Sequence, residues 1–109
     1  MPLKDISEIN IEDFNDDDLI NNLDIEGLKK LASLATNAEQ LNKVAHARNV
    51  TSEIVTAIMA NTKVELYELD PLSMINLAKQ ASSSKELYKI EQGINVMTIN
   101  KLVDVYGGG

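Results

Sequence analysis

The sequence predicts an all-α protein made of two similar 46-residue multi-helix units, residues 15–60 and 61–106, packed as a pseudo-symmetric bundle or a short solenoid. Two observations predict this fold. Apolar residues recur at the spacing of a helix along most of the chain, and no segment keeps the alternation of a strand. Overlaying the units at an offset of 46 residues also gives ten identical pairs: Asn15/Asn61, Leu23/Leu69, Asp24/Asp70, Leu31/Leu77, Ala32/Ala78, Ala35/Ala81, Leu41/Leu87, Lys43/Lys89, Asn49/Asn95 and Val50/Val96.

A chain of 109 residues has the size of one domain. We divide it into an acidic N-terminal arm (1–14), the two helical units, and a glycine tail (107–109). Seven or eight short helices are expected. The repeated leucines are expected to be core residues: Leu31, Leu41, Leu77 and Leu87.

In the first unit, Asn15 is predicted to cap a short helix that runs to Leu23. Its first turn would hold the acids of residues 16–18, where the helix dipole and the free amides favour negative charge. Asp24 is the predicted cap of the next helix, because apolar residues follow it at helical spacing.

Two overlapping capping boxes mark the start of the third helix of the first unit. Either Thr36 pairs with Glu39, or Asn37 pairs with Gln40, and both pairings place the first helical turn near residue 38. A fourth helix is predicted to open at residues 50–52.

The second unit carries the same signals with different residues. Three helix starts are predicted from caps and capping boxes: Thr62 with Glu65, Asp70 with Pro71 in the first turn, and Ser83 with Glu86. Gly93 is predicted to end the helix that Ser83 begins, by taking the left-handed conformation that favours glycine. A last helix would then follow Val96.

Charge and composition exclude several function classes. The net charge is −7, and residues 1–23 hold seven acids against Lys4. No basic stripe is present, so we expect no nucleic-acid partner. No apolar run reaches the length of a membrane span and no secretion signal is evident, so we expect no membrane partner and a cytoplasmic location. Nine lysines against one arginine are typical of an AT-rich genome, such as that of a bacterium or phage.

Oxygen-bearing side chains in residues 13–24 occupy positions 1, 3, 5, 9 and 12 of a calcium-loop pattern: Asp13, Asn15, Asp17, Asn21 and Asp24. Continued to Leu31, the segment resembles a dockerin calcium segment, and that resemblance implies a calcium-dependent module. The alternative interpretation is an acidic helix start. No other cofactor is indicated.

Catalytic constellations are not evident in the sequence. His46 is the single histidine and the chain has no cysteine, which excludes a Cys-based zinc site and a thiolate nucleophile. Only four aromatic residues are present, so a stacking pocket is not expected. We therefore expect a protein that is not an enzyme.

The end of the sequence suggests a processing signal. Taking Gly107 and Gly108 as a double-glycine pair, the positions 4, 7, 12 and 15 before the cut are all apolar: Val105, Leu102, Met97 and Ile94. Residues 77–98 also resemble the acidic helical leaders, related to a nitrogen-fixation protein, that precede modified peptides. The resemblance implies recognition by a modifying enzyme and cleavage by a double-glycine peptidase.

The sequence therefore predicts a non-enzymatic helical recognition or adaptor domain that binds a protein or peptide partner. Three alternatives stay open: a leader domain of a modified peptide, a calcium-dependent binding module, and a small accessory or structural protein of a phage. A homo-oligomer is a further expectation about partners.

Overall fold

The computed structural model describes residues 4–107, and within them every regular element is helical. Six α-helices follow one another along the chain: α1 (Asp17–Asn22), α2 (Ile25–Leu34), α3 (Ala38–Ala45), α4 (Ser52–Ala60), α5 (Pro71–Gln80) and α6 (Ser84–Leu102). Short 3-10 helices cover Ile6–Glu8, Ile11–Asn15 and Leu66–Glu68, and one π-helical turn, Val103–Gly107, continues α6. The all-α fold class is thus confirmed.

Two pairs of helix starts repeat at the predicted offset. α2 and α5 begin at residues 25 and 71, and α3 and α6 begin at residues 38 and 84. The N-terminal caps repeat as well: Asp24 and Asp70 accept from the amides of Gly27 and Ser73 at 2.9 and 2.7 Å. Superposition of the two units about a symmetry operation stays a prediction.

The start of α3 is resolved in favour of the second register. Asn37 Oδ1 accepts from the amide of Gln40 at 2.9 Å, and Gln40 Oε1 accepts from the amide of Thr36 at 2.8 Å. At the start of α6 the same pattern recurs, because Ser83 Oγ accepts from Glu86 N–H and Glu86 Oε1 accepts from Ser82 N–H. In both helices the N-cap side chain thus accepts from the amide three residues later, and the side chain of that later residue accepts from the amide just before the cap.

Two predicted helix starts are wrong in detail. Asp16, one residue after Asn15, caps α1 by accepting from the amide of Leu19 at 3.0 Å. Around residues 62–65 no α-helix forms. The chain instead enters the 3-10 turn Leu66–Glu68, whose N-cap Glu65 makes no side-chain capping bond.

Gly93 does not end a helix, which corrects the prediction of a left-handed stop. No described glycine has a positive φ, and α6 runs through Gly93 for 19 residues. A Cβ at this position would lie 2.8 Å from Met74 Cε and 3.2 Å from Leu66 Cβ. Gly93 thus permits a close approach of α6 to its neighbours. One long helix consequently replaces two expected short ones.

The core lies mainly in the first unit. α2 packs along α4, α3 contacts α2, α4 and α5, and α5 packs on α6. The N-terminal arm lies on α2 and buries Ile9 and Phe14. Thirteen of the buried apolar residues fall between residues 15 and 60, against five between 61 and 106. The second unit therefore buries far fewer apolar side chains than the first.

The described part of the chain is elongated, with principal extents of 52 × 31 × 21 Å. α6 contributes to this length because its last turns leave the body, and every residue from Thr98 to Gly107 is exposed. Within residues 4–107, no helix combines the length and the apolar character that a membrane crossing requires.

Candidate interaction surface

Among the described residues, large exposed apolar side chains lie in two parts of the molecule. Ile6 and Ile11 lie in the N-terminal arm, and none occurs between residues 12 and 66. The other twelve all belong to the second unit: Tyr67, Leu72, Ile75, Leu87, Tyr88, Ile94, Val96, Ile99, Leu102, Val103, Val105 and Tyr106. Exposed apolar side chains concentrated in this way make the second unit the candidate interaction surface.

The repeat identifies which of these side chains depart from the pattern of the first unit. Leu72 and Ile75, both exposed on α5, stand where α2 has Glu26 and Lys29. Leu87 is 46 % exposed, so its predicted place in the core is wrong. Comparison of the two halves, position by position, was the signal that could have found Leu72 and Ile75 from sequence.

The last part of α6 is rich in apolar side chains although they are exposed. Residues 94–107 contain only two charged side chains, Lys101 and Asp104. Apolar side chains on a helix normally face another element, and short isolated helices are marginal in water. This segment therefore has the composition of a helix that packs against another surface.

A groove of about 430 Å³ lies between α6 and the connection from α4 to α5. Its walls include Leu66, Tyr67, Tyr88 and Val96, with Gly93 at its base. Two aromatic rings and several aliphatic groups give the groove an apolar character, and Lys89 and Glu65 lie at its margin. Local sequence patterns do not predict this groove, because its walls come from segments more than 20 residues apart.

His46 lies in a polar junction between α3 and α5. Its Nε2 lies 2.9 Å from Asp70 Oδ1, while the hydroxyl of Ser73 donates to Asn42 Oδ1 at 2.8 Å. Ser73 is fully buried and does not bond to His46. The junction thus joins two helices and does not form a serine nucleophile with its base.

Asp70 is held in its charged form at this junction. Burial alone would raise the pKa of its carboxyl group, but the hydrogen bonds from His46 and from Ser73 outweigh that effect. The pKa of Asp70 is consequently lowered below its ordinary value of 3.8.

The five side chains of the predicted calcium loop are each placed differently. Asn15 ends a 3-10 helix, Asp17 opens α1 and lies 3.7 Å from Lys43, and Asn21 accepts from the amide of Arg48 at 3.3 Å. Asp24 caps α2. Among the described residues, no cluster of three or more acidic or histidine side chains is assembled for a metal ion. Calcium binding stays a prediction.

Asp13, the first position of that loop, forms an ion pair with Lys4 at 2.9 Å. Burial opposes ionisation of Asp13, but the hydrogen bond from Lys4 and a second from the amide of Asn10 prevail, so its pKa is lowered. The ion pair thus joins two residues of the N-terminal arm, Lys4 and Asp13.

The predicted processing positions lie along α6 and its π-helical extension. Ile94, Leu102 and Val105 are exposed, whereas Met97 is half-buried and packs on the core. Gly107 is exposed at the end of the π turn, and Gly108 lies outside the described residues. No family model, curated protein or solved structure matches the chain.

Proposed function

We propose that this chain is a non-enzymatic recognition domain that binds a protein or peptide partner on the apolar surface of its second unit. The observation that carries the proposal is the contrast between the halves. Every large exposed apolar side chain beyond residue 11 belongs to residues 67–106. The first unit exposes no large apolar side chain and is joined to α5 by the His46–Asp70 junction. It then serves as the scaffold.

The repeat supplies the substitutions that test this function. Leu72→Glu with Ile75→Lys gives α5 the residues that α2 has at the same positions. Both sites are exposed, so we expect stability to change by no more than about 0.5 kcal/mol. Loss of the apolar side chains should nevertheless weaken partner binding by about tenfold or more.

A tagged wild-type chain and the double variant are compared by capture from the host extract, followed by titration with each purified captured protein. Glu53→Lys, an exposed change in the first unit, is the matched control. A partner that binds all three proteins with equal affinity would contradict a role for the α5 surface.

The second candidate is a leader domain, favoured by the exposure of Ile94, Leu102 and Val105 on a projecting helix. A peptidase that reads apolar positions before a glycine pair needs such side chains free of the body. Fusion of a reporter peptide after Gly109 tests this function. Cleavage after Gly108 by a double-glycine peptidase, suppressed by Leu102→Glu but not by Asp104→Ala, is the expected result; an intact fusion would exclude it.

A further inference from the structure

The end of α6 carries a coiled-coil pattern that residues 4–107 of its own chain leave uncovered. Val96, Ile99, Val103 and Tyr106 follow one another at spacings of three, four and three residues, which are the a and d positions of a heptad. All four side chains are exposed, Tyr106 by 79 %. We name these four residues the α6 seam.

The seam and the groove beside Tyr67 are continuous. Val96 belongs to both, and Tyr88 and Gln92 extend the same side of α6 toward its N-terminus at intervals of four residues. Each molecule thus contains an apolar helix end and, on the same face, an apolar groove. A surface that is complementary to itself in this way allows a closed two-fold dimer.

From this geometry we infer that the occupant of the groove is the α6 seam of a second copy of the chain, in an antiparallel and reciprocal dimer. Tyr106 of one copy lies at the level of Tyr88 of the other, and the two-fold axis passes near residue 97. The inference rests on the proposed function, since it names a partner for part of the same apolar surface.

The exposed area of the chain agrees with this assignment. A compact monomer of 12.0 kDa exposes about 6,000 Å². This chain exposes 6729 Å², so about 700 Å² exceeds the compact expectation. A standard interface removes about 800 Å² from each partner, which is close to that excess.

Charge also favours a second copy over an acidic or basic partner. Lys101 and Asp104 are the only charged residues between 94 and 107, so two seams can approach without net repulsion. In the antiparallel arrangement Asp104 comes to the level of Ile90 and next to Lys89 of the second copy, which lines the groove. The acids of residues 5–18 lie outside the seam and the groove.

The repeat gives an independent reason for a missing cover. After Val96 the second unit has two extra residues relative to the first, so α4 corresponds to the chain at an offset of 48 residues. The buried residues Ile54, Val55 and Ile58 of α4 then pair with Leu102, Val103 and Tyr106. In the second unit the corresponding segment continues α6 and remains exposed. An equivalent segment that is buried in one unit and exposed in the other is what an intermolecular contact would use.

Sedimentation velocity over a range of roughly 1 μM to 1 mM measures self-association directly. We expect a reversible monomer–dimer equilibrium for the wild-type chain. Ile99→Glu and Tyr106→Glu should each weaken it by about thirtyfold or more, and Leu72→Glu, which lies outside the seam and the groove, should change it less than about twofold. The circular dichroism of all variants should match the wild type, since the sites are exposed.

Orientation is tested by mixing two single-cysteine chains, because the natural sequence contains no cysteine. Under a mild oxidant, Tyr88→Cys mixed with Tyr106→Cys should form a mixed disulfide, in excess over either homodisulfide. A dominant Tyr106→Cys homodisulfide would overturn the antiparallel arrangement.

A monomer at all concentrations, with no mixed disulfide, would overturn the dimer. That result would not decide the proposed function, because the residues that test it, Leu72 and Ile75, lie outside the seam and the groove. Loss of partner capture in the Leu72→Glu, Ile75→Lys variant would then support a foreign partner, and unchanged capture would show that the proposed function fails as well.

Discussion

Leu41 and Leu87 occupy the same position of the 46-residue repeat, yet Leu41 is fully buried and Leu87 is 46 % exposed. The helices that carry them begin at corresponding residues, with corresponding caps. The difference therefore comes from what packs around each helix. α3 contacts α2, α4 and α5, whereas α6 packs mainly on α5 and the 3-10 turn Leu66–Glu68.

Truncation of these two leucines should reveal the difference in energy. Leu41→Ala is expected to lower the free energy of unfolding by about 2–5 kcal/mol, because it empties a closed core site. Leu87→Ala should cost no more than about 0.5 kcal/mol. Urea denaturation followed by circular dichroism measures both, with Leu31→Ala and Leu77→Ala as buried controls. Equal losses at residues 41 and 87 would contradict the exposed position of Leu87.

Gly93 is predicted to tolerate no branched side chain. Gly93→Val would place methyl groups against Met74 and the Cβ of Leu66, and we expect a loss of about 1–3 kcal/mol through overpacking. Asn95→Val in the same helix is the matched control, because residue 95 is exposed. If both variants unfold at the same urea concentration, the close approach at Gly93 is wrong.

Most helix starts were predictable from sequence, whereas the path of α6 was not. The N-cap role of Asp24, Asp70 and Ser83 can be predicted from local sequence, because a capping side chain bonds to amides only two or three residues away. A glycine such as Gly93 is compatible both with a helix stop and with a close contact between helices. Only the positions of Met74 and Leu66, which are distant in sequence, decide between these roles.

The candidate surface was predictable in part for a similar reason. The exposed end of α6 coincides with the positions Ile94, Leu102 and Val105 that the double-glycine pattern had marked. The groove beside Tyr88 requires the connection between α4 and α5 to fold onto α6, and local sequence patterns do not record that contact.

Acid should weaken the fold through Asp70. Its pKa is lowered in the folded state, so its contribution to stability is present above the ordinary value of 3.8 and is lost as the pH falls through the folded-state pKa. The free energy of unfolding, measured in urea from pH 7 to pH 3, should therefore fall below about pH 4. The difference between the wild type and Asp70→Asn should shrink over the same interval. A difference that stays constant to pH 3 would exclude this role.

Calcium binding is decided by thermal denaturation. If Asp13, Asn15, Asp17, Asn21 and Asp24 bind the ion, millimolar calcium should raise the melting temperature by mass action, and Asp17→Ala should remove the rise. Magnesium at the same concentration controls for general charge screening of the acidic arm. An unchanged melting curve would leave these side chains as helix caps and partners of Lys4 and Lys43.

Amide hydrogen exchange tests the central claim, that the second unit leaves apolar side chains exposed whereas the first unit buries them. The comparison is between α4 (Ser52–Ala60) and residues 98–106 at the end of the described chain, in a solution dilute enough to hold monomers. We predict slow exchange in α4, which is buried on α2, and exchange faster by about a hundredfold or more in residues 98–106, which frays in solvent. Equal protection of the two segments in the monomer would contradict the account, because residues 98–106 would then be packed on their own chain.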